Sequence, residues 1–153
     1  MTKVNKVDKV IMCVGTNDVK YFDSSTKDVT KRFRQPLVRL VKLLKLLFPG
    51  AQIIFKCVLP MGIMYTYTAK SVHDFNYLLL DICKDFGCIF FDCFSDFLDQ
   101  WGNCYNNYLY RDRIHLNDIG LRILCRALKF IIYRNVFNPI MRISPSNYYY
   151  LGW

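Results

Sequence analysis

The sequence predicts an α/β fold in which parallel strands alternate with helices in three layers, α/β/α. Three short, mainly apolar runs have the length of strands buried on both faces of a sheet; they lie near 10–14, 53–58 and 88–92. Three longer segments repeat apolar residues every three or four positions, as amphipathic helices do; they lie near 27–48, 70–86 and 118–134. Such alternation favours parallel strands joined by right-handed crossovers.

The first predicted strand runs into a polar turn. Val10 to Val14 is apolar throughout and is followed by Gly15-Thr-Asn-Asp18. In open α/β sheets, ligand sites lie beyond the carboxyl ends of the strands. Taken alone, Gly15 to Asp18 is also typical of an ordinary turn.

The first predicted helix begins near Ser24 and Ser25, which are suitable N-caps, and ends before Pro49-Gly50. Pro36 predicts a kink or a later start. One apolar stripe should be buried: Val29, Phe33, Leu37, Leu40, Val41, Leu44 and Leu47. The opposite face is basic and carries Lys27, Lys31, Arg34, Lys42 and Lys45.

The second predicted strand stops at Pro60, and 61–69 is expected to be a loop at the same sheet edge as Asn17. The second helix should bury Val72, Phe75, Leu79, Ile82 and Phe86. His73 lies off that stripe, so we interpret it as a solvated residue. The third strand ends at Asp92.

A carboxylate and an imidazole lie three residues apart, at Asp112 and His115, just before the last helix. At that spacing the carboxylate can hold one ring nitrogen and leave the other free for chemistry. Asn117 is a good N-cap for the helix that follows. That helix should bury Leu121, Leu124, Ala127, Leu128 and Ile131. Beyond 134 the pattern is lost, so we predict a domain over 1–134 and an irregular tail over 135–153.

Asp112-x-x-His115-Leu-Asn117, preceded by Gly15-Thr-Asn-Asp18, resembles the SGNH (GDSL-type) serine ester hydrolases. The resemblance implies a flavodoxin-like parallel sheet and no cofactor. It implies that His115 takes the proton of a serine nucleophile and that Asp112 orients the imidazole. It further implies that Asn17 donates to the oxyanion and that Asp18 braces its loop, with Gly15 and Asn117 supporting the site.

The opening blocks of that family are not found in the sequence. These are a strand ending in Gly-Asp-Ser, which carries the nucleophile, and a block with an oxyanion-hole glycine. None of the six serines follows a buried strand in a Gly-Asp-Ser setting, so the nucleophile is unknown. We therefore expect a domain truncated at its N-terminus, inactive on ester substrates unless an N-terminal segment completes it. The strand at 10–14 would become an uncovered edge and favour self-association.

Two alternatives remain open. The first is a non-catalytic interaction or nucleic-acid-binding module derived from a mobile-element or viral SGNH domain. A net charge of +9 and heavy use of residues with AT-rich codons are compatible with it, although no nucleic-acid-binding motif is present. The second, less favoured, is a metal site built from Asp18, Asp112 and His115, for which the spacing suggests no further ligand.

Length and composition favour one globular domain. The chain has 153 residues, of which 53% are hydrophobic and 22% charged. Its 7 cysteines include no Cys-x-x-Cys pair, and Cys13, Cys57 and Cys88 lie in apolar patterns typical of reduced, packed thiols. No signal sequence and no membrane span is recognised, so an intracellular, cytoplasmic location is expected.

Overall fold

A computed structural model describes residues 6–62, 66–133 and 140–141. Four parallel strands form one sheet in the order β1-β2-β3-β4. Their bounds are β1 Lys9–Met12, β2 Gln52–Lys56, β3 Ile89–Phe91 and β4 Ile140–Met141. The helices are α1 Thr16–Val19, α2 Val29–Leu47, α3 Thr66–Phe86 and α4 Asp118–Tyr133. The predicted alternation of three strands and three long helices is therefore confirmed.

The sheet is parallel throughout its described strands. Lys9 of β1 faces Gln52 of β2, and Ile54 of β2 faces Ile89 of β3. Both faces of β2 and β3 are buried, which explains why 53–55 of β2 and Ile89–Phe91 of β3 are continuous apolar runs rather than alternating ones. All the carboxyl ends point to one edge, where the candidate site residues lie.

The tail prediction is corrected at one place. Ile140 and Met141 pair with Phe90 and Phe91 of β3, so this part of 135–153 is strand rather than irregular segment. Two residues are too few to show the apolar period of a strand, so the sequence pattern could not predict β4. These residues form a strand because they pair with β3. The rest of 135–153 lies outside the described residues, and the boundary at 134 stays a prediction.

The start of α2 differs from the prediction. Asp28 is the N-cap, and its side chain accepts a hydrogen bond from the amide of Lys31 at 3.1 Å. Ser24 instead donates its amide to Ser71 Oγ at 3.3 Å, and Ser25 Oγ donates to Asp23 at 2.5 Å. The helix thus begins late and continues through Pro36. Because proline has no amide hydrogen, α2 lacks one backbone hydrogen bond to the preceding turn at Pro36. Pro36 lies on the exposed side of the helix.

Helix burial follows the predicted stripes with two exceptions. Val29, Leu37, Val41 and Leu44 of α2 and Val72, Phe75, Leu79 and Ile82 of α3 are in the core. Leu47 is 59% exposed and Leu121 is 46% exposed, so both predictions of burial are wrong. Each lies beside its buried stripe, where the period alone does not say how wide the contact is.

Three smaller predictions are also corrected. Helix α3 begins at Thr66, within the segment predicted as loop. His73 is half-buried and packs edge-on against Tyr77 at 4.5 Å, and this burial lowers its pKa. All seven cysteines are free thiols; five are buried, but Cys13 is exposed just beyond β1 and is not a packed residue.

Candidate active site

The Asp112–His115 turn closes a long connection from β3 to α4 and lies at the carboxyl edge of the sheet. One contact holds the turn itself against the segment that follows β2, and a second holds the earlier part of the same connection there. The amide of Gly62 donates to the carbonyl of Arg113 at 2.8 Å, and Cys104 Sγ donates to the carbonyl of Pro60 at 3.6 Å. A Cβ on Gly62 would lie 2.9 Å from Cβ of Arg113, so the backbones approach too closely for a larger residue. The β2 segment therefore fixes the position of the turn.

Asp112 is the centre of the hydrogen bonds within this turn. Its Oδ1 accepts the amides of Ile114 at 2.9 Å and His115 at 3.0 Å. Its Oδ2 lies 2.5 Å from Nδ1 of His115. The bond from the His115 ring, followed by the two backbone bonds, lowers the pKa of Asp112 from 3.8 to about 2. The carboxyl group is therefore ionised at neutral pH and can hold Nδ1 in its protonated form.

His115 presents its second ring nitrogen to solvent. Its side chain is 68% exposed, and Nε2 has no hydrogen-bond partner among the described residues. With Nδ1 donating to Asp112, Nε2 is the unprotonated nitrogen of the neutral ring. An exposed imidazole in this tautomer can accept a proton from a nucleophile beside it.

Arg113, between the two, has a left-handed backbone with φ 58°. An L-residue other than asparagine or aspartate adopts this conformation at a cost of roughly 1–2 kcal/mol. The conformation lets the amide of Arg113 bond the carbonyl of Tyr110 at 2.9 Å, while the carbonyl of Arg113 accepts from Gly62. Local strain is thus retained at the point where Asp112 and His115 are brought together.

Asn117 ties the turn to α4. Its Oδ1 accepts the amides of Ile119 at 2.9 Å and Gly120 at 3.0 Å, which confirms the predicted N-cap. Its Nδ2 also donates to the carbonyls of Asn107 and Leu109 at 2.8 and 3.1 Å, a function that the sequence did not predict. One side chain therefore joins the helix start to the loop before the turn.

Gly120 is a supporting residue that the sequence analysis missed. A Cβ at this position would lie 2.3 Å from the carbonyl oxygen of Tyr108. The amide of Asn117 donates to that same carbonyl at 3.0 Å. A glycine three residues after an N-cap asparagine was the available signal, since glycine inside a helix usually marks a close approach.

Gly15, Asn17 and Asp18 follow β1 at the same sheet edge. Gly15 has φ 104°, and a Cβ there would lie 2.3 Å from the ring of Phe75, so both conformation and space require glycine. Asn17 and Asp18 are exposed. Asp18 makes no side-chain hydrogen bond among the described residues, so the bracing expected of it is not seen there. The amides of Asp18 and Val19 instead donate to the carbonyl of Gly15, each at 3.0 Å.

Val58 connects the two polar segments. Asn76 of α3 holds Val58 by two hydrogen bonds, accepting its amide at 2.7 Å and donating to its carbonyl at 2.9 Å. The side chain of Val58 is the other close neighbour of Gly15. Two residues further on, Pro60 begins the segment whose Gly62 contacts the Asp112–His115 turn. Packing through the segment after β2 therefore links both predicted motifs.

None of the described serines hydrogen-bonds His115. Ser24 and Ser71 are buried and bonded near the start of α2, Ser25 bonds Asp23, and Ser95 lies in a 3₁₀ turn at Phe94–Phe97. Ser144 and Ser146 lie outside the described residues. No group of three or more His, Cys, Asp or Glu within 6–62, 66–133 and 140–141 could hold a metal ion. No helix in that part of the chain has the length and apolar character to cross a bilayer.

A groove of about 530 Å³ lies elsewhere, between the start of α2 and α3. Its lining includes Asp28, Lys70, Asp74 and Tyr77, and none of Asn17, Asp112 or His115. It is shallow and polar and does not belong to the site at the sheet edge.

A parallel α/β sheet whose carboxyl edge carries a Gly-x-Asn-Asp turn and an Asp-x-x-His turn defines the SGNH class of esterase-like domains. The chain belongs to the GDSL-like Lipase/Acylhydrolase family, whose model matches residues 2–123. A comparison with curated protein sequences gave no significant match.

Solved structures show the same fold. A Streptococcus pneumonia protein assigned as a platelet activating factor superposes with a TM-score of 0.69 at 21% identity. A catalytic mutant of Axe2, an acetylxylan esterase from Geobacillus stearothermophilus, superposes with a TM-score of 0.64 at 22% identity. The matches cover 83% and 90% of this chain but only 60% and 63% of those chains. The predicted three-layer α/β/α class is therefore confirmed, over less than two thirds of the length of these structures.

Proposed function

We propose that this domain, when a further segment supplies the serine nucleophile, cleaves acyl esters by a serine mechanism in which His115 is the general base. The observation that carries the proposal is the Asp112–His115 pair, with Nδ1 bound to an ionised carboxylate and Nε2 open to solvent. Membership of an acylhydrolase family and the fold shared with an esterase support it.

Each residue then has a defined part in the reaction. A serine hydroxyl attacks the ester carbonyl carbon while Nε2 of His115 accepts its proton. Asp112 holds the ring in position and stabilises the imidazolium that forms. The side-chain amide of Asn17 donates a hydrogen bond to the oxyanion of the tetrahedral intermediate. His115 returns the proton to the departing alcohol, and water then hydrolyses the acyl-enzyme by the same base. No metal or cofactor takes part.

We further propose that none of the six serines of this chain is the nucleophile. Three of the four described serines are bonded elsewhere, and none of the four stands at the end of a strand of the sheet. A segment that ends a strand in Gly-Asp-Ser and pairs beside β1 would bring the hydroxyl to the required edge. On this proposal the 153-residue chain alone is inactive on esters.

The test compares the chain alone with a chain extended by such an N-terminal segment. The chain alone should hydrolyse short-chain nitrophenyl esters no faster than its His115→Ala variant. The extended chain should show serine-dependent turnover, and His115→Ala should reduce kcat by about 10³-fold or more, as loss of a triad base does. Asn17→Ala should lower kcat by roughly 10²-fold. Robust turnover by the chain alone, or turnover of the extended chain that survives His115→Ala, would contradict the proposal.

The alternative, a nucleic-acid-binding module of mobile-element or viral origin, receives no support from the comparisons. The free, mostly buried thiols support our proposal of a reducing, intracellular compartment.

A further inference from the structure

Helix α2 has an unusual charge distribution for a surface helix. It contains six basic residues, Lys31, Arg32, Arg34, Arg39, Lys42 and Lys45, and no acidic residue. Two of these are engaged: Arg34 pairs with Asp85 at 2.6 Å, and Lys45 Nζ donates to the carbonyl of Phe86. The other four are exposed and have no ion-pair partner among the described residues.

Three leucines on the same helix are turned to solvent. Leu43, Leu46 and Leu47 are 50%, 77% and 59% exposed. Their spacing of three and four residues places them side by side on one face of α2. Single exposed leucines are ordinary, but three adjacent ones form a patch that water solvates poorly.

Three of the four free cations lie on or beside that face. Arg39 lies one helical turn before Leu43, and Lys42 lies one turn before Leu46. Arg32 lies seven residues before Arg39, two turns further along the same side. The leucine patch (Leu43, Leu46 and Leu47) is therefore bordered by cations and by no acidic residue of its own helix.

We propose that this face of α2 docks on the surface of an anionic membrane. The cations would contact lipid phosphates and carboxylates, and the leucine patch would enter the boundary between headgroups and acyl chains. Charge complementarity selects this partner, because this face of α2 combines unpaired positive charges with the apolar surface of the leucine patch. A nucleic acid would satisfy the arginines and lysines but would leave the leucines in water.

The inference does not depend on the proposed esterase activity. The Asp112–His115 turn lies at the carboxyl edge of the sheet, whereas the leucine patch lies at the end of α2, which leads into the amino end of β2. Docking would therefore leave the candidate active site accessible.

The experiment is co-sedimentation of the 153-residue chain with vesicles of phosphatidylcholine alone and of phosphatidylcholine mixed with phosphatidylserine. Binding is expected to the mixed vesicles, and it should weaken with added salt, which screens exposed charges. The double variant Arg39→Gln/Lys42→Gln should lower the partition coefficient roughly 30-fold, since each cation near such a surface contributes about 1 kcal/mol. Leu46→Ser/Leu47→Ser should lower it at least as much.

Matched controls on α4 separate the patch from general charge and apolar exposure. Arg122→Gln/Lys129→Gln removes two exposed cations, and Leu121→Ser/Ile132→Ser removes two leucine-sized exposed side chains. Both should bind vesicles as the parent does. Circular dichroism should show unchanged helix content and thermal midpoint for the α2 variants, because their side chains are exposed.

Four results would overturn the proposal. The first is no binding to the mixed vesicles, and the second is an equal loss of binding in the α4 controls. The third is a dimer that dissociates in Leu46→Ser/Leu47→Ser, which would assign the patch to a second copy of the chain. The fourth is binding to duplex RNA or DNA that needs Arg39 and Lys42 but not the leucines.

Discussion

At the scale of single residues, the site depends on Asp112 more than on any other side chain. It accepts two backbone amides and the ring of His115, so one carboxylate shapes the turn and orients the base. Arg113 accepts an unfavourable left-handed conformation between them. The segment that follows β2 holds this arrangement in place, because the amide of Gly62 donates to the carbonyl of Arg113.

The depressed pKa of Asp112 gives a direct test of this geometry. Because the folded-state pKa of about 2 is below the ordinary 3.8, the folded state binds fewer protons than the unfolded state between these values. The contribution to stability is full above about pH 4 and is lost as the pH falls through 2. An NMR titration of carboxyl carbons should find Asp112 near the lower value.

Two variants identify the cause of the low pKa of Asp112. Asp112→Asn removes the carboxyl signal of residue 112 from the titration and so assigns that signal to Asp112. His115→Ala should raise the pKa of Asp112 without restoring 3.8, because the amides of residues 114 and 115 still donate to it. An Asp112 pKa unchanged by His115→Ala would show that the ring is not bonded to the carboxylate in solution.

At the scale of elements, the start of α4 determines how the turn is presented. Asn117 caps the helix and also holds two carbonyls of the preceding loop, and Gly120 allows the helix to lie against the carbonyl of Tyr108. The helix and the loop therefore form one unit, and a substitution that disrupts the contact between them would displace His115.

Gly120→Ala should destabilise the protein by about 1–3 kcal/mol, since the added Cβ would lie 2.3 Å from a backbone oxygen that cannot easily move. Urea unfolding measures this difference. Cys125→Ala, an exposed position on the same helix, is the control and should change stability by less than about 0.5 kcal/mol. Equal stability of Gly120→Ala and the parent would mean that α4 is not held against Tyr108 as described.

At the scale of the whole molecule, β1 is one edge of the described sheet. It pairs with β2 on one side, and its other side has no strand among the described residues. Lys9 bonds the carbonyls of Ile131 and Ile132, which places the end of α4 close to this edge. Unpaired backbone at an edge is a template for another chain.

We therefore expect the isolated 153-residue chain to self-associate as its concentration rises. Sedimentation velocity over a concentration series measures this. Leu46→Ser/Leu47→Ser is the matched control, since association through β1 should persist when the leucine patch is removed. A monomer at every concentration would argue against an accessible edge.

The sequence by itself determined the features that depend on near neighbours in the chain. Strand and helix periods gave the α/β class, because burial repeats with the geometry of each element. The Asp112–His115 pair and the Asn117 cap were predictable because their partners lie within three residues. Local geometry alone brings those groups together.

The tertiary structure decided everything that depends on a distant partner. Ser24 and Ser25 had the chemistry of caps, but Ser24 bonds Ser71, 47 residues away, and Asp28 caps α2 instead. The period of apolar residues in a helix gives the direction of the buried stripe but not its width. The sequence therefore could not predict that Leu47 and Leu121 are exposed. The link from Gly15 through Val58 and Gly62 to Arg113 joins three loops. No local pattern encodes that link, because it exists only once parallel strands have brought their carboxyl ends to one edge.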